Sequence, residues 1–344
     1  MKSQAVVFTA ANAYEVMEVE IADLGTEDIL VRTLWTAVSP GTERWTLRGK
    51  HIGTRFPCIP GYHRIGIVEA VGSSVSSHKI GDIVYGSSNK VMAPVINMFG
   101  AHIAHSVSAP GGYTILGHGD MDPALAEQVV FSILVAVGNR GVNALQVQPR
   151  QKMLHIGAGI VSLSAAQIAG LRGTYSVLID TDSEHVAFVN KQFPDFLCLD
   201  GNDADLEAKL KAYAPDGFDI LQDTVGVPAA IDRYVKFVRY QGTLLLQAQY
   251  FDLDHRAIDL DQIKIKELTI KTTCGTSATD TEEVRHLIQR GWLKVTPYIT
   301  HRFTQENILE AYKLLDKNTE HNLGMVIDWR SFPSAESKAL EKGF

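Results

Sequence analysis

The spacing of apolar residues divides the chain into two parts with different predicted architectures. In the first part, which extends to about residue 120, short segments rich in Val, Ile and Thr are separated by Gly, Pro and Ser. Several of these segments alternate between apolar and polar positions, which is typical of half-buried strands. The pattern predicts an antiparallel or barrel-like β domain, with strands at 4–8, 29–37, 66–71 and 82–85.

The pattern changes at Lys152 to short apolar segments that alternate with helical periodicity. This alternation indicates a doubly wound parallel sheet, so the predicted fold class is α/β. A helix is predicted over 123–139, ahead of the sheet. The predicted strands of the sheet are 153–156, 176–180, 218–222, 242–247 and 268–273. Two helices, 281–290 and 304–315, and a last strand, 324–328, are predicted to follow it.

The segment 153–162 (Met-Leu-His-Ile-Gly-Ala-Gly-Ile-Val-Ser) predicts a dinucleotide-binding turn. An apolar strand enters a Gly-x-Gly turn and a helix leaves it, which is the order that this fingerprint requires. Gly157 is expected to form the tight turn, and Gly159 to let the backbone approach a pyrophosphate. The first helical amides, those of Ile160 and Val161, would then face the phosphates. A glycine-rich turn that only starts a helix is the alternative.

Asp180 ends the second strand of this unit, 18 positions after Ser162. A carboxylate at about this spacing accepts hydrogen bonds from the ribose hydroxyls of a dinucleotide. The same charge repels a 2′-phosphate, and Thr181, Asp182 and Ser183 offer no cation to offset the repulsion. NAD is therefore favoured over NADP. Ser162 stands where a third Gly or Ala is usual, and we expect it to loosen helix–strand packing slightly.

Composition narrows the classes of partner. The chain has 344 residues, of which 45% are hydrophobic, and a net charge of −7 with dispersed basic residues. We expect a chain of this length and apolar content to form two hydrophobic cores. The charge favours a small-molecule substrate over a nucleic-acid or membrane partner. Without an apolar span or a signal-like N-terminus, a cytoplasmic location is expected. The three cysteines, Cys58, Cys198 and Cys274, are too few and too far apart for a disulfide framework or a four-cysteine zinc lobe.

Several short motifs are spread along the whole chain. They are Val38–Arg44 (Val-Ser-Pro-Gly-Thr-Glu-Arg), Pro60–Gly66 (Pro-Gly-Tyr-His-Arg-Ile-Gly), Gly81–Val84 (Gly-Asp-Ile-Val), Ala126-Glu127, His301–Phe303 and Ala311-Tyr312. Together these motifs resemble those of the medium-chain dehydrogenase/reductase superfamily, which is alcohol dehydrogenase-like. Within it, the chain is similar to a branch that includes bacteriochlorophyllide hydroxyethyl dehydrogenases and polyol dehydrogenase-like proteins.

This resemblance implies a GroES-like β-barrel catalytic domain and a Rossmann dinucleotide-binding domain. We place the first at 1–129 and 277–344, and the second at 130–276. The loop after the fourth Rossmann strand carries Thr224, Val225 and Gly226, which are expected to border the dinucleotide because the carboxyl ends of such strands line its crevice. Many members of the family are oligomers, so a homodimer or homotetramer is implied.

Zinc-dependent members of the family bind their catalytic metal through a Cys in a Cys-x-Ser/Thr-Asp motif and the His of a Gly-His-Glu motif. In this sequence Pro40 and Tyr62 occupy these two positions. Neither side chain resembles the thiolate or imidazole that zinc prefers. A zinc-free site is therefore predicted. The alternative is a rebuilt metal site that uses His63 and Glu127, together with His102 or His105.

A zinc-free alcohol dehydrogenase still needs a group that moves the hydroxyl proton. Thr42 lies where the family places its proton-relay hydroxyl, and Tyr62 and His63 stand at the former metal-ligand position and next to it. These three are the predicted catalytic residues. A phenol has a reference pKa of about 10, so Tyr62 would need a nearby cation, Arg44 or Arg64, to act as a base.

Each catalytic candidate also has a purely structural interpretation. Tyr62 can be a packing residue, His63 a hydrogen-bonded neighbour, and Thr42 the cap of a helix over 43–47. The predicted function is zinc-independent hydride transfer between NAD(H) and a secondary alcohol or ketone. Two alternatives stay open: a quinone- or enoyl-type double-bond reductase that uses NAD(P)H, and a dinucleotide-binding sensor without catalysis. The substrate itself is not predicted.

Overall fold

The computed structural model describes residues 1–251, 256–317 and 322–332. The chain forms two compact units, Met1–Phe131 with Val295–Phe344, and Ser132–Lys294. The strands are β1 (Lys2–Ala10), β2 (Ala13–Glu20), β3 (Ile29–Val38), β4 (Cys58–Ile59), β5 (Arg64–Val71), β6 (Asp82–Gly86), β7 (Ile96–Asn97), β8 (His105–Ser108), β9 (Tyr113–His118), β10 (Lys152–Ile156), β11 (Tyr175–Asp180), β12 (Leu197–Asp200), β13 (Phe218–Asp223), β14 (Val238–Leu246), β15 (Thr269–Thr272), β16 (Ile299–Phe303) and β17 (Gly324–Asp328). The helices are α1 (Pro40–Leu47), α2 (Pro123–Val129), α3 (Ser132–Leu145), α4 (Ile160–Leu171), α5 (Ser183–Gln192), α6 (Leu206–Tyr213), α7 (Pro228–Tyr234), α8 (Leu260–Ile265), α9 (Ala278–Gln289) and α10 (Glu310–Lys317).

The first unit is built on two β-sheets. One runs in the order β16-β17-β3-β5-β6-β9, with β8 also paired to β3, and the other in the order β2-β1-β4-β7. Strand β3 is almost entirely buried because it lies inside the larger sheet, where its antiparallel partners include β5 and β17. A core that contains Phe8, Tyr312 and Trp329 forms where α10 and β17 return to the N-terminal strands.

The second unit is a parallel six-stranded sheet in the order β12-β11-β10-β13-β14-β15. Its central strands are nearly continuous apolar segments, as expected for parallel strands that helices cover on both faces. The strand order reverses between β10 and β13, and in such sheets ligands bind at the carboxyl ends of the strands at this point. The predicted α/β fold class is confirmed, both for the β domain of the first unit and for the parallel doubly wound sheet of the second.

Three differences between the observed and the predicted boundaries have a clear consequence for the architecture. The predicted helix 123–139 is two helices, because α2 ends at Val129 and α3 begins at Ser132, where the two units divide. The second unit extends to Lys294 rather than to 276. The reason is that α9 packs on α3, where its Asp280 carboxylate accepts hydrogen bonds from Arg140 and Asn143. Helix α10 begins at 310 instead of 304.

No single helix in the part of the chain that the structure describes is long and apolar enough to cross a membrane. Among the described helices, the bent pair α2 and α3 is the one that reaches that size by length and composition alone.

Candidate active site

Two of the predicted catalytic residues meet in the first unit. The Thr42 Oγ1 and Tyr62 Oη atoms are 2.8 Å apart, so the two hydroxyls share a hydrogen bond. Thr42 lies inside α1, whose N-cap is Ser39, and the capping interpretation of Thr42 is therefore wrong. Tyr62 follows Gly61, whose φ of +91° is a conformation that favours glycine. Both residues are half-buried, so neither is enclosed in the core.

A buried pair of hydrogen-bonded side chains, Glu43 and His102, supports both members of this hydroxyl pair. Glu43, the residue after Thr42, accepts from the Ser39 amide at 2.8 Å, and one of its oxygens lies 3.1 Å from His102 Nε2. The His102 ring packs so tightly against Gly61 that a Cβ there would come within 2.6 Å of it. The Tyr312 hydroxyl donates to Glu43 at 3.1 Å. Glu43 therefore positions Thr42, and His102 positions the turn that carries Tyr62.

The third predicted catalytic residue, His63, has its ring edge-on against Tyr85, with the ring centroids 4.8 Å apart. Its catalytic role stays a prediction. The cations proposed to assist Tyr62 have other partners: Arg44 Nε donates to the Leu315 carbonyl at 3.0 Å. Arg64 is fully buried and donates from its two terminal nitrogens to the Gly100 carbonyl and the Tyr113 hydroxyl.

The residues present do not fit a catalytic zinc ion. Besides Pro40 and Tyr62 at the two ligand positions, the remaining candidates have other partners. Glu127 pairs with Arg302 at 2.9 Å, and His102 spans Glu43 and Thr36. Within the described residues, no group of three or more His, Cys, Asp and Glu side chains could hold a metal ion.

The candidate dinucleotide turn lies between β10 and α4. Gly157 has a φ of +89°, and a Cβ on it would come within 2.6 Å of Val225. A Cβ on Gly159 would meet no atom within 4 Å, so space is open beside it. Because α4 begins at Ile160, the amides of Ile160 and Val161 are among those that a helix leaves without an internal partner. These features fit a phosphate-binding turn.

Asp180 is tied to this turn. Its Oδ2 accepts from the Ala158 amide at 3.0 Å, and its Oδ1 accepts from the Asp182 amide at 3.1 Å. A carboxylate has about four acceptor positions, so both oxygens keep capacity for the hydroxyls of a ribose. On the other side of the turn, His185 Nε2 donates to the Ala158 carbonyl at 2.9 Å, a contact that the sequence did not predict.

Ser162 strengthens the packing that it was expected to loosen. Its buried hydroxyl lies 2.8 Å from Thr224 Oγ1, which in turn donates to the Ile156 carbonyl at 3.0 Å. Since Thr224 uses its proton on the carbonyl, Ser162 is the donor of the first bond. The helix is thereby tied to the ends of two neighbouring strands, β10 and β13.

The loop of Thr224, Val225 and Gly226 is held by the buried carboxylate of Asp223. This carboxylate accepts from the amides of Val225 and Gly226 at 3.0 and 3.3 Å, and from the Tyr250 hydroxyl at 2.7 Å. Burial raises the pKa of Asp223, although these three hydrogen bonds oppose the rise. Burial, together with the charge of Asp223, raises the pKa of Tyr250 well above its usual value. The carboxylate thus caps the loop, and Val225 is left half exposed.

A row of hydrogen-bonded polar side chains, which we call the polar ladder, crosses the second sheet from the start of β11 to the residues that directly follow β14 and β15. It consists of Ser176, His155, Gln222, Gln247 and Thr273. The neutral His155 ring donates from Nδ1 to Gln222 at 2.5 Å and accepts from Ser176 at 3.0 Å. Gln222 donates to Gln247 at 2.5 Å, and Gln247 donates to Thr273 at 2.8 Å. Burial lowers the pKa of His155 to about 4.

Comparisons with known proteins agree with this architecture. A family model described as "Alcohol dehydrogenase GroES-like domain" matches residues 25–132, and one described as "Zinc-binding dehydrogenase" matches residues 161–290. D-arabinitol dehydrogenase 1 from Uromyces fabae is 24% identical over 88% of this chain and 90% of its own length. Among solved structures, a short chain alcohol dehydrogenase from Escherichia coli CFT073, complexed with NADH, has a TM-score of 0.79 at 16% identity and covers 95% of this chain and 99% of its own. A zinc-binding dehydrogenase from Sinorhizobium meliloti 1021, described as putative and bound to NADP, has the same TM-score at 15% identity and the same coverage.

Proposed function

Because the chain belongs to the medium-chain dehydrogenase/reductase superfamily of nicotinamide-dependent oxidoreductases, we propose that it interconverts a secondary alcohol and a ketone with NAD(H) and without zinc. The observation that carries the proposal is the 2.8 Å hydrogen bond between Thr42 and Tyr62. By the resemblance, Tyr62 stands at a metal-ligand position of the zinc-dependent members, and Thr42 stands at the position of their proton-relay hydroxyl. D-arabinitol, which the name of one relative specifies, is a substrate with hydroxyl groups.

Tyr62 handles the proton of the substrate in this proposal. In the reduction, its phenol donates a proton to the carbonyl oxygen as the C=O bond becomes C–OH, and Thr42 replaces that proton from solvent. In the oxidation, the two hydroxyls remove the O–H proton in the opposite direction. A bound nicotinamide would supply the chemistry that the side chains lack, which is the transfer of a hydride. Glu43 and His102 hold the hydroxyl pair in place.

The preference for NAD over NADP rests on Asp180. Its carboxylate is fixed by two backbone amides of the second unit and cannot turn away from a ribose without losing them. A 2′-phosphate would place a second negative charge beside it, which disfavours NADPH. Gly157 and Gly159 would receive the pyrophosphate, and the loop of Thr224, Val225 and Gly226 would border the rest of the dinucleotide.

Three measurements on one preparation test the proposal. Protein purified without added zinc is analysed for metal content, titrated with NADH and with NADPH by Trp fluorescence, and assayed with secondary alcohols, ketones and enones. We expect substoichiometric zinc, selective NADH binding, and turnover of alcohols and ketones that a chelator does not change. Stoichiometric zinc whose removal abolishes turnover would refute the metal-free site. Turnover of enones alone, with NADPH, would indicate a double-bond reductase.

A further inference from the structure

Three rings lie together beside the hydroxyl pair, and we call them the aromatic wall: Tyr62, Phe99 and His51. The centroid of the Phe99 ring is 4.3 Å from that of Tyr62, and the two planes are tilted by 51°. The His51 ring meets the other end of the group edge-on, with its centroid 6.0 Å from that of Phe99. The aromatic wall therefore begins at the phenol that we place in proton transfer and extends away from it.

Phe99 has a backbone conformation that is uncommon for a bulky residue. Its φ is +77°, in the left-handed region, where such residues store strain that the surroundings must hold. The surroundings do so on both sides: the amides of Met98 and Gly100 donate to the Ile59 carbonyl, and Arg64 donates to the Gly100 carbonyl at 2.6 Å. The conformation does not bury Phe99, and the residue as a whole stays 37% exposed.

We propose that the aromatic wall is a substrate subsite that binds a planar apolar substituent, such as a phenyl group, on the carbon that is oxidised or reduced. The inference rests on the proposed function and names its substrate class. Because the two ring centroids are 4.3 Å apart, a substrate whose hydroxyl or carbonyl met Tyr62 would bring its neighbouring substituent within reach of Phe99. Aromatic rings attract one another in offset or edge-on arrangements, which this tilted group offers. A polyol chain would gain no such contact.

The same rings could instead only pack the Tyr62 side chain, and the two roles predict different kinetics. If Phe99 only positions Tyr62, its removal lowers kcat for every substrate by a similar factor. If Phe99 binds the substituent, its removal raises KM for aromatic substrates and changes small aliphatic ones little. The ratio of kcat/KM between the two classes therefore separates the roles.

The test compares kcat/KM for 1-phenylethanol, 1-cyclohexylethanol and 2-butanol in the wild type and in Phe99→Gly. Glycine adopts a positive φ without strain, so this variant keeps the backbone and removes only the ring. We expect kcat/KM for 1-phenylethanol to fall about tenfold more than that for 2-butanol, mainly through KM. The cyclohexyl substrate should lie between them, because it keeps the apolar area and loses the ring interaction. Asn12→Gly, at another left-handed position of the same unit (φ +61°), is the matched control and should leave the ratio unchanged.

An unchanged ratio in Phe99→Gly, or an equal loss for all three alcohols, would overturn the subsite. Saturation-transfer NMR with 1-phenylethanol and acetophenone measures the wall without turnover. Binding to the wild type that is lost in Phe99→Gly supports the subsite even if no alcohol is oxidised, which would refute only the proposed function. Absence of binding to the wild type at millimolar ligand, or binding that persists in Phe99→Gly, overturns the subsite.

Discussion

The polar ladder makes the second unit sensitive to acid through one residue, His155. Its ring is fully buried, and the hydrogen bonds to Gln222 and Ser176 suit the neutral form. Burial lowers its pKa from 6.5 to about 4 in the folded protein. As the pH falls below about 6.5, the unfolded chain binds a proton at this residue and the folded chain does not. The contribution of His155 to the free energy of unfolding is therefore complete above about pH 6.5 and is lost as the pH falls towards 4.

The size of the effect follows from the two pKa values. One pKa unit corresponds to about 1.4 kcal/mol, so the full loss is about 3 kcal/mol, of which about 2 kcal/mol is lost by about pH 5. This is a large share of the 5–15 kcal/mol by which a typical protein is stable. We expect His155→Gln to remove the pH dependence, since an amide keeps a donor and an acceptor and does not titrate.

Urea unfolding of the wild type and of His155→Gln, each near pH 7.5 and near pH 5, measures this contribution. Hydrogen exchange of the peptides that carry β10 and β13 assigns the transition to the second unit. The free energy of unfolding should fall between the two pH values by about 2 kcal/mol more in the wild type than in the variant. His286→Gln, at an exposed position of α9, is the control and should behave as the wild type. Equal losses in the wild type and His155→Gln would refute the reasoning.

Three further predictions concern the reaction, the cofactor and the stability of the loop that follows β13. Tyr62→Phe should lower kcat by about 100-fold or more and leave the NADH affinity unchanged. Adding Thr42→Val to Tyr62→Phe should lower kcat little further, because the two hydroxyls form one proton path. Steady-state kinetics of the single and double variants measure this, and losses in kcat that multiply would contradict it. Asp180→Ser should weaken NADH binding about tenfold and strengthen NADPH binding, whereas a fall in both affinities by fluorescence titration would show that the turn itself had collapsed. Asp223→Asn should lower the free energy of unfolding by about 1–3 kcal/mol, because the new amide nitrogen cannot accept hydrogen bonds from the loop. Tyr250→Phe should lower it by less. Urea unfolding measures both, and the reverse order would contradict the role of Asp223 in capping the loop.

The sequence predicted the site best where its residues lie close together along the chain. The Gly157–Gly159 turn and the position of Asp180 follow from strand and helix periodicity, because the strand, the turn and the helix are contiguous. The order of the parallel strands follows from the alternation in the same way. The interruption near residue 130 was not predictable, since the apolar periodicity of the helix runs on through the point at which the two units divide.

The contacts that support the candidate site were hidden because they join residues far apart in the chain. Glu43 and His102 are separated by 59 positions, and Glu43 and Tyr312 by 269. The sequence did offer one signal. Glu43 directly follows Thr42, and a carboxylate that is buried requires a hydrogen-bonding partner. Nothing in the sequence identified His102 as that partner, or indicated that Phe99 adopts a left-handed conformation. Both depend on how separate loops pack around Gly61.

In the proposed reaction, the hydroxyl pair would assist a different direction from the one that a zinc ion assists. A metal ion lowers the pKa of a bound alcohol and so assists oxidation near neutral pH. A phenol, with a reference pKa of about 10, is protonated at neutral pH and ready to donate, which assists reduction. Arg64, the cation nearest in sequence that could have lowered this value, donates instead to Gly100 and Tyr113. We therefore expect ketone reduction to dominate near neutral pH.

The pH profiles of the two directions test this expectation. kcat for alcohol oxidation should rise about tenfold per pH unit from about pH 7 until the phenol titrates, whereas kcat for ketone reduction should stay level over the same interval and then fall. Tyr62→Phe should flatten the rise, because its ring has no proton to lose. A plateau of the oxidation profile that begins at neutral pH in the wild type would mean that a group with a lower pKa removes the proton. His63, whose reference pKa is about 6.5, would then be the residue to substitute next.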